Sequence, residues 1–395
     1  MLSVEDAARA VATRIEPLAA ERVPLREARD RVLADDVHAA RALPIFDNSA
    51  MDGYAARSAE LPATLPVVGL VAAGQVMTAQ VPPHVAIRIL TGAPLPTGLD
   101  TVVIQEDARV EGPAVTLPAS PVGDNVRHAG EDIAARELAV PGGTRLHAGE
   151  LALLAALGLV EVSVRKAPRV ALITTGDELV DITTQPLPGQ IVDSSSHMLG
   201  ALVHACGGRA SYFGISKDDP IAMAAMLASA MDHDAIITTG GVSVGDRDHV
   251  RGALTAAGVT LELWKVAMKP GKPFSFGMNG RVPVFGLPGN PVSTFVAFEL
   301  FVRPALLAMQ GLAETAHPRA PVHLVRGYRK PAGRTHYLRV RVVRNGEYLI
   351  AHPHPKQGSA MLTSLIGCNA LVELAAEATE IPPNSVVTAL LLRPV

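Results

Sequence analysis

The stretch DAIITTGGVSVGDRD (234–248) begins as an apolar, β-branched run and ends in glycines, small hydroxyl residues and carboxylates. A short apolar run closed by turn residues reads as a buried strand feeding a loop, and a helix to about residue 257 is expected to follow. The same pattern recurs on both sides. RVALITTG (169–176) and ASYFGIS (210–216) are strand runs. DSSSHMLGALVHACG (193–207) is a helix with Asp193 or Ser194 as its cap, and DDPIAMAAMLASAM (218–231) is a helix with Asp219 as cap and Pro220 in its first turn. VPVFGLPGNPVSTFVAFELFVRPAL (282–306) is a strand, a Gly/Pro turn and a long helix. Strands alternating with helices predict a doubly wound parallel α/β sheet over about 168–310. In such sheets ligands bind outside the carboxyl ends of the strands, where the TTG, TTGG and GLPGN turns fall.

The flanks read differently. Residues 3–20 carry Val4, Ala7, Ala8, Val11 and Ile15 at helical spacing, ending near Pro17, and a second helix is expected at about 149–157. Short β-type runs separated by Gly and Pro over 62–118 predict a small β-rich domain. After Pro318 the runs VHLVRGY, HYLRVRVV, EYLIAHP, ALVELA and VVTALLL predict a C-terminal β-barrel.

Composition bounds the function. With 395 residues, 48% hydrophobic and 18% charged, the chain is long enough for several cores and is not disordered. A net charge of −3 argues against a surface built for nucleic acid or anionic lipid. Cys206 and Cys368 are the only cysteines and have no metal-type spacing. MLSVEDAARA has no apolar signal core, and the apolar run at 150–162 is too short for a bilayer and holds Gly158, so a soluble cytoplasmic protein without a membrane partner is expected.

Of the 35 basic residues only seven are Lys, and Lys265, Lys269 and Lys272 fall within eight positions. Ammonium groups fixed on the broken segment KVAMKPGKP (265–273) suit a diphosphate or tetrahedral anion; the alternative is a solvated charge run. In TTGGVSVGDRD, Gly240, Gly241 and Gly245 with Ser243 let backbone amides cradle phosphate, and Asp246 and Asp248 can hold Mg²⁺ against it. A turn with a capping Asp is the plainer reading. TTGDEL (174–179) places Asp177 and Glu178 at a strand end, as metal ligands or caps. In GLPGNPVS (286–293), Asn290 can cap the helix that Pro291 begins. DNSAMDGYA (47–55) is dense in polar and turn residues, among them Asp52. The histidines, His128, His147, His352 and His354 among them, form no metal signature.

DNSAMDGYA, TGAPLP, GEDI, TTGDEL, TTGGVSVGDRD, KPGKP and GLPGNPVS, taken in this order, resemble the MoeA family of molybdopterin molybdenumtransferases, related to the gephyrin E domain. The resemblance runs the length of the chain. It implies a homodimer of four-domain subunits: an N-terminal helical domain made of 1–45 and 140–167, a β-rich inserted domain (46–139), a MogA-like molybdopterin-binding α/β domain (168–312) and a C-terminal β-barrel (313–395). The implied reaction inserts molybdenum from molybdate into adenylyl-molybdopterin and hydrolyses its diphosphate, releasing molybdenum cofactor and AMP, with Mg²⁺ as the metal. Contacts with a molybdopterin adenylyltransferase and with apo-molybdoenzymes are implied as well.

By motif match, Asp52 resembles the family's required carboxylate, and Lys265 and Lys269 its anion-binding lysines. Thr91, Asp132, Lys272, Pro288 and Pro291 match substrate-cleft positions, with Ser359 and Arg339 matched from the barrel. Glu178, Asp218 or Asp219, and Asp248 match acidic positions; Asp246 stands where some relatives carry Glu. DSSS, with Ser195 and Ser196, replaces the family's Asn-bearing turn. Two other readings stay open: adenylylation of molybdopterin, and a non-catalytic carrier or scaffold of gephyrin type.

Overall fold

The computed structural model describes residues 1–240 and 249–395. They fall into two compact units. One comprises Met1–Glu21, Asp30–Ala34 and Ser163–Val395; the other comprises Arg22–Arg29 and Asp35–Val162.

The larger unit contains a six-stranded sheet in the order Arg209–Ser216, Arg169–Thr175, Ala235–Thr239, Val282–Leu287, Ser275–Asn279, Thr260–Trp264. The first four strands are parallel, with Val170 opposite Ala235 and Ile236 opposite Val284. Ala235–Thr239 is buried at every position, as expected of a strand covered on both faces. Alternate residues divide between two cores. Val170, Leu172, Ile237 and Phe285 meet the helices Val4–Ala12, Ser195–Ala205 and Pro291–Met309. Ala171, Ile173, Ile236 and Val284 meet Met223, Leu227, Ala253 and Leu254 on the other face.

Ser275–Asn279 runs antiparallel to both of its neighbours, Val282–Leu287 and Thr260–Trp264, where a wholly parallel sheet was expected. Ser275–Asn279 returns to Val282–Leu287 through a two-residue loop whose Gly280 has φ +56°. A glycine at the first position of a two-residue loop is a hairpin feature, and a strand reached by so short a turn can only pair antiparallel.

Pro291–Met309 is apolar and long enough to cross a membrane, unlike the 150–162 run, but 72% of it is buried inside the protein. Phe298, Phe301, Val302 and Leu306 fill the first core, making it the central helix of a packed layer. It widens to π-helical geometry over Phe298–Val302.

The C-terminal strands close a five-stranded barrel in the order Thr335–Asn345, Tyr348–Pro353, Arg319–Leu324, Val386–Leu391, Ala370–Leu374 and back to the first. Val322, Leu338, Val340, Ala351, Val372 and Ala389 fill it. Met268–Lys269, from the lysine segment, adds to the barrel beside Thr335–Asn345, with Lys269 opposite His336.

The smaller unit is built on a curled six-stranded sheet in the order Thr101–Ile104, Gly53–Ala56, Ala86–Ile89, Ala63–Val71, Ala114–Leu117, Arg109–Glu111. Its two faces bury Ala55, Ile87, Ile89 and Val102 on one side and Tyr54, Leu65, Val103 and Val115 on the other. The helix Ala148–Ala156 also belongs to this unit; Glu150 and His147 form its capping box.

Candidate active site

A cleft of ≈ 1070 Å³ opens at the carboxyl ends of the parallel strands. Its floor is made by backbone. At Gly240, with φ +87°, an added Cβ would lie 2.2 Å from the Thr175 carbonyl oxygen, so only glycine lets the two strand ends approach. Gly289 packs next to Gly240, whose Cα would be in ordinary van der Waals contact, 3.4 Å, with an added Cβ there. The Thr175 hydroxyl donates to the Thr239 carbonyl at 3.0 Å and ties the two strand ends together.

Acidic groups form one part of the wall. The Glu178 carboxylate folds back over Gly176, where an added Cβ would stand 2.8 Å from either oxygen. Asp218 also lines the cleft. Its neighbour Asp219 is occupied elsewhere, accepting the Ile221 and Ala222 N–H groups, both at 3.2 Å, as the cap of Pro220–Ser229. Asp177 accepts the Asp218 N–H at 3.2 Å and so fixes the turn that presents Asp218. The sequence left both ambiguities open, and these hydrogen bonds separate the roles.

Lys269 and Lys272 line the cleft on the loop that runs from the barrel-edge strand. Lys265 is not among the lining residues. Its backbone has φ +72° and its N–H donates to the Phe274 carbonyl at 2.9 Å, so it sits at the end of strand Thr260–Trp264 rather than on that loop. Spacings of four and three place three side chains on one face only in a helix, and this segment instead folds back on itself, the Val266 N–H donating to the Lys272 carbonyl at 3.0 Å.

Pro288, Pro291 and Ser359 line the cleft as well. Asn290, expected as a side-chain cap, instead donates from Nδ2 to the Ser359 hydroxyl at 3.2 Å, and the Ser359 carbonyl accepts the Val292 N–H at 3.1 Å. Arg339, expected to touch substrate, is 1% exposed and lies beneath the wall. Its guanidinium donates to the Ser364 hydroxyl and the Gly358 carbonyl, both at 3.1 Å, and to the Lys356 carbonyl at 3.4 Å. It therefore holds the loop that carries Ser359. Burial among neutral acceptors lowers its pKa.

Lining residues without a cleft role in the sequence reading include Asp193, Tyr328, Arg334 and Gln357. Asp193 is 3% exposed and takes the Ser195 and Ser196 N–H groups at 2.9 and 3.2 Å, so its side chain, not that of Ser194, caps the helix Ser195–Ala205. It also accepts the Thr174 and Tyr212 hydroxyls at 3.0 and 3.1 Å. Partial burial and the nearby Asp193 charge raise the Tyr212 pKa. Tyr328 and Arg334 come from the barrel, whose loops carry no recognisable motif.

In the smaller unit, Asp52 and Thr91 meet. Thr91 donates its N–H and its hydroxyl to Asp52 Oδ1 at 2.7 and 2.8 Å. These two bonds, with the Arg88 charge assisting, hold the Asp52 carboxyl below its usual range, so it is an anion at neutral pH. Gly53 follows because its position faces the Val103 carbonyl, 2.1 Å from an added Cβ. Asp132 is exposed, and its N–H donates to the Leu43 carbonyl at 3.0 Å. Gly241, Ser243, Gly245, Asp246 and Asp248 lie outside the described residues.

Among the described residues no three His, Cys, Asp or Glu side chains gather as a metal site. Glu178 and Asp218 both line the cleft, and Mg²⁺ characteristically takes one or two carboxylates and completes its shell with phosphate oxygens and water.

Family comparisons agree along the whole chain. The MoeA N-terminal region (domain I and II) matches residues 2–158, a probable molybdopterin binding domain matches 171–308, and the MoeA C-terminal region (domain IV) matches 321–392. Molybdopterin molybdenumtransferase 2 of Mycobacterium tuberculosis (strain H37Rv) is 37% identical over 396 residues, covering 96% of this chain and 97% of its own. A molybdopterin molybdenumtransferase of Nostoc is 39% identical over 334 residues, covering 80% and 77%. The crystal structure of a molybdopterin biosynthesis MoeA protein from Pyrococcus horikoshii OT3 matches with TM-score 0.86 and 31% identity, over 99% of this chain and 100% of that one. The chain belongs to the MoeA family of molybdopterin molybdenumtransferases, and is a transferase of molybdenum cofactor biosynthesis.

Proposed function

We propose that this protein transfers molybdenum from molybdate into adenylylated molybdopterin, hydrolysing the adenylyl diphosphate and releasing molybdenum cofactor and AMP. The observation that carries the reading is the charge arrangement of the cleft: Lys269, Lys272 and Arg334 share one cavity with Glu178 and Asp218. Cations alone suit any anion. Cations facing carboxylates suit a diphosphate with its metal, because the carboxylates would repel an anion that came without one.

Glu178 and Asp218 are the residues that would hold Mg²⁺, which when bound would supply charge neutralisation and Lewis-acid polarisation to the phosphate. Lys269 and Lys272 bind and orient the diphosphate oxygens as point charges. Water adds to phosphorus, the bridging P–O bond breaks and AMP departs. Asp52, ionised because Thr91 donates to it twice, is assigned as the required carboxylate. As an anion at neutral pH it accepts a proton or orients a donor; it does not act as a general acid.

The test supplies purified protein with adenylyl-molybdopterin, Mg²⁺ and molybdate, and reads AMP by chromatography and cofactor by reactivation of an apo-molybdoenzyme. Both products are expected. Consumption of ATP with unadenylylated molybdopterin, and no AMP from the adenylylated form, would overturn the reading in favour of adenylyl transfer.

A further inference from the structure

Asp52 is gripped at more points than its Thr91 bonds. Its own carbonyl accepts the Gln105 N–H at 3.0 Å. The next carbonyl along, Gly53 O, accepts Arg88 Nη1–H at 2.9 Å, and Arg88 Nη2–H reaches Gln105 Oε1 at 2.6 Å. The guanidinium also lies over the Tyr54 ring, 5.0 Å from its centroid. Arg88 stands opposite Tyr54 on the neighbouring strand, and Thr91 follows three residues later. One segment, 88–91, therefore holds both the Gly53 carbonyl and carboxylate oxygen Oδ1 of Asp52. Among the described hydrogen bonds none reaches Oδ2, which is left to act.

We propose that Arg88 is the positioning residue of Asp52: its planar fork locks the peptide that follows the carboxylate and the Gln105 side chain beside it, so that Asp52 presents Oδ2 in one fixed direction. The geometry explains why arginine stands there. Two acceptors, a strand carbonyl at Gly53 and a side-chain amide at Gln105 in the short helix after Thr101–Ile104, and an aromatic face are served by a rigid, two-pronged, stackable cation, and a lysine ammonium cannot serve all three. The charged groups around the carboxylate are Arg88 itself and, one step away through the Gln105 Nε2 bond at 3.1 Å, Glu106. Arg88 adds its charge to the same end, favouring the anionic form of Asp52.

This inference rests on Asp52 being required, and the experiment separates the two. Arg88→Met, Arg88→Lys, Gln105→Leu and Asp52→Asn are assayed for molybdate-dependent AMP release across pH. A misplaced reacting group costs on the order of 10–100-fold in rate, so Arg88→Met should lower kcat by that factor with KM changed less than about threefold. Its acid limb should move to higher pH, since the neighbouring cation is gone. Arg88→Lys should restore the acid limb and not the rate, which a merely structural role would not separate. Gln105→Leu, which leaves the fork in place and removes one of its acceptors, should lower kcat in the same direction and by less.

If Asp52→Asn is inactive while Arg88→Lys and Gln105→Leu both keep wild-type kcat, the positioning role is overturned; this holds even if Arg88→Met does not fold. If Asp52→Asn keeps its activity, the assignment of Asp52 is what fails.

Discussion

His336 gives the most quantitative prediction. It is 2% exposed, on the strand beside Lys269, and its Nε2 finds no partner. Burial first, and then the charges of Lys269, Lys330 and Arg334, bring its pKa down to about 4. Above pH 6.5 the imidazole is neutral in folded and unfolded chains alike, and it adds no pH dependence. Between 6.5 and 4 the unfolded chain takes up the proton and the folded chain refuses it, so stability falls as pH falls. With those two values, the loss at pH 5 comes to about 2 kcal/mol, close to a thirtyfold rise in opening.

Because a chain with several packed regions need not unfold in one step, the loss is best read locally. Hydrogen exchange of peptides covering 335–345 at pH 7.5 and 5, corrected for intrinsic rates, measures it. His336→Phe, which cannot be protonated, should lose less protection on acidification than wild type, by about that factor. Equal losses in both proteins, or an imidazole signal absent from the variant that titrates between 6 and 7, would refute the reasoning.

Other outcomes follow from the cleft. Gly240→Ala places a methyl group 2.2 Å from the Thr175 carbonyl at φ +87°, so the strand ends must part. We expect a loss of about 2–4 kcal/mol in denaturant titration and weaker AMP binding by calorimetry, and an unchanged protein would contradict the packing. Arg339→Met leaves two carbonyls and a hydroxyl without their donor, costing about 2–4 kcal/mol. Its catalytic effect should be a raised KM through the Ser359 loop; a fall in kcat alone would place Arg339 at the reacting atoms instead.

The α/β layer was legible because its three inner parallel strands, Arg169–Thr175, Ala235–Thr239 and Val282–Leu287, are buried almost throughout and so read as apolar runs. The barrel was legible through its short β-type runs separated by turn residues after Pro318. The antiparallel pair was missed: Thr260–Trp264 precedes the lysine segment without a helix between, and the loop at Gly280 was not read as a hairpin turn. Within the site, residues on strand ends and capping turns could be located from sequence, since Gly176, Gly240 and Asp219 carry backbone constraints that few residues satisfy. Lys265 and Arg339 could not, because whether a long cation enters a cleft or stands outside it depends on tertiary contacts. Tyr328 and Arg334 reach the cleft from barrel loops whose positions nothing local in the sequence specifies.

The central claim is that the cleft walled by Lys269, Lys272, Glu178 and Asp218 binds the nucleotide diphosphate end of the substrate. A crystal structure with AMP and Mg²⁺ tests it most directly. The account predicts the phosphate within hydrogen-bond distance of Lys269 or Lys272 and at the carboxyl ends of the parallel strands. AMP bound at any other surface, with this cleft filled only by water, would contradict it.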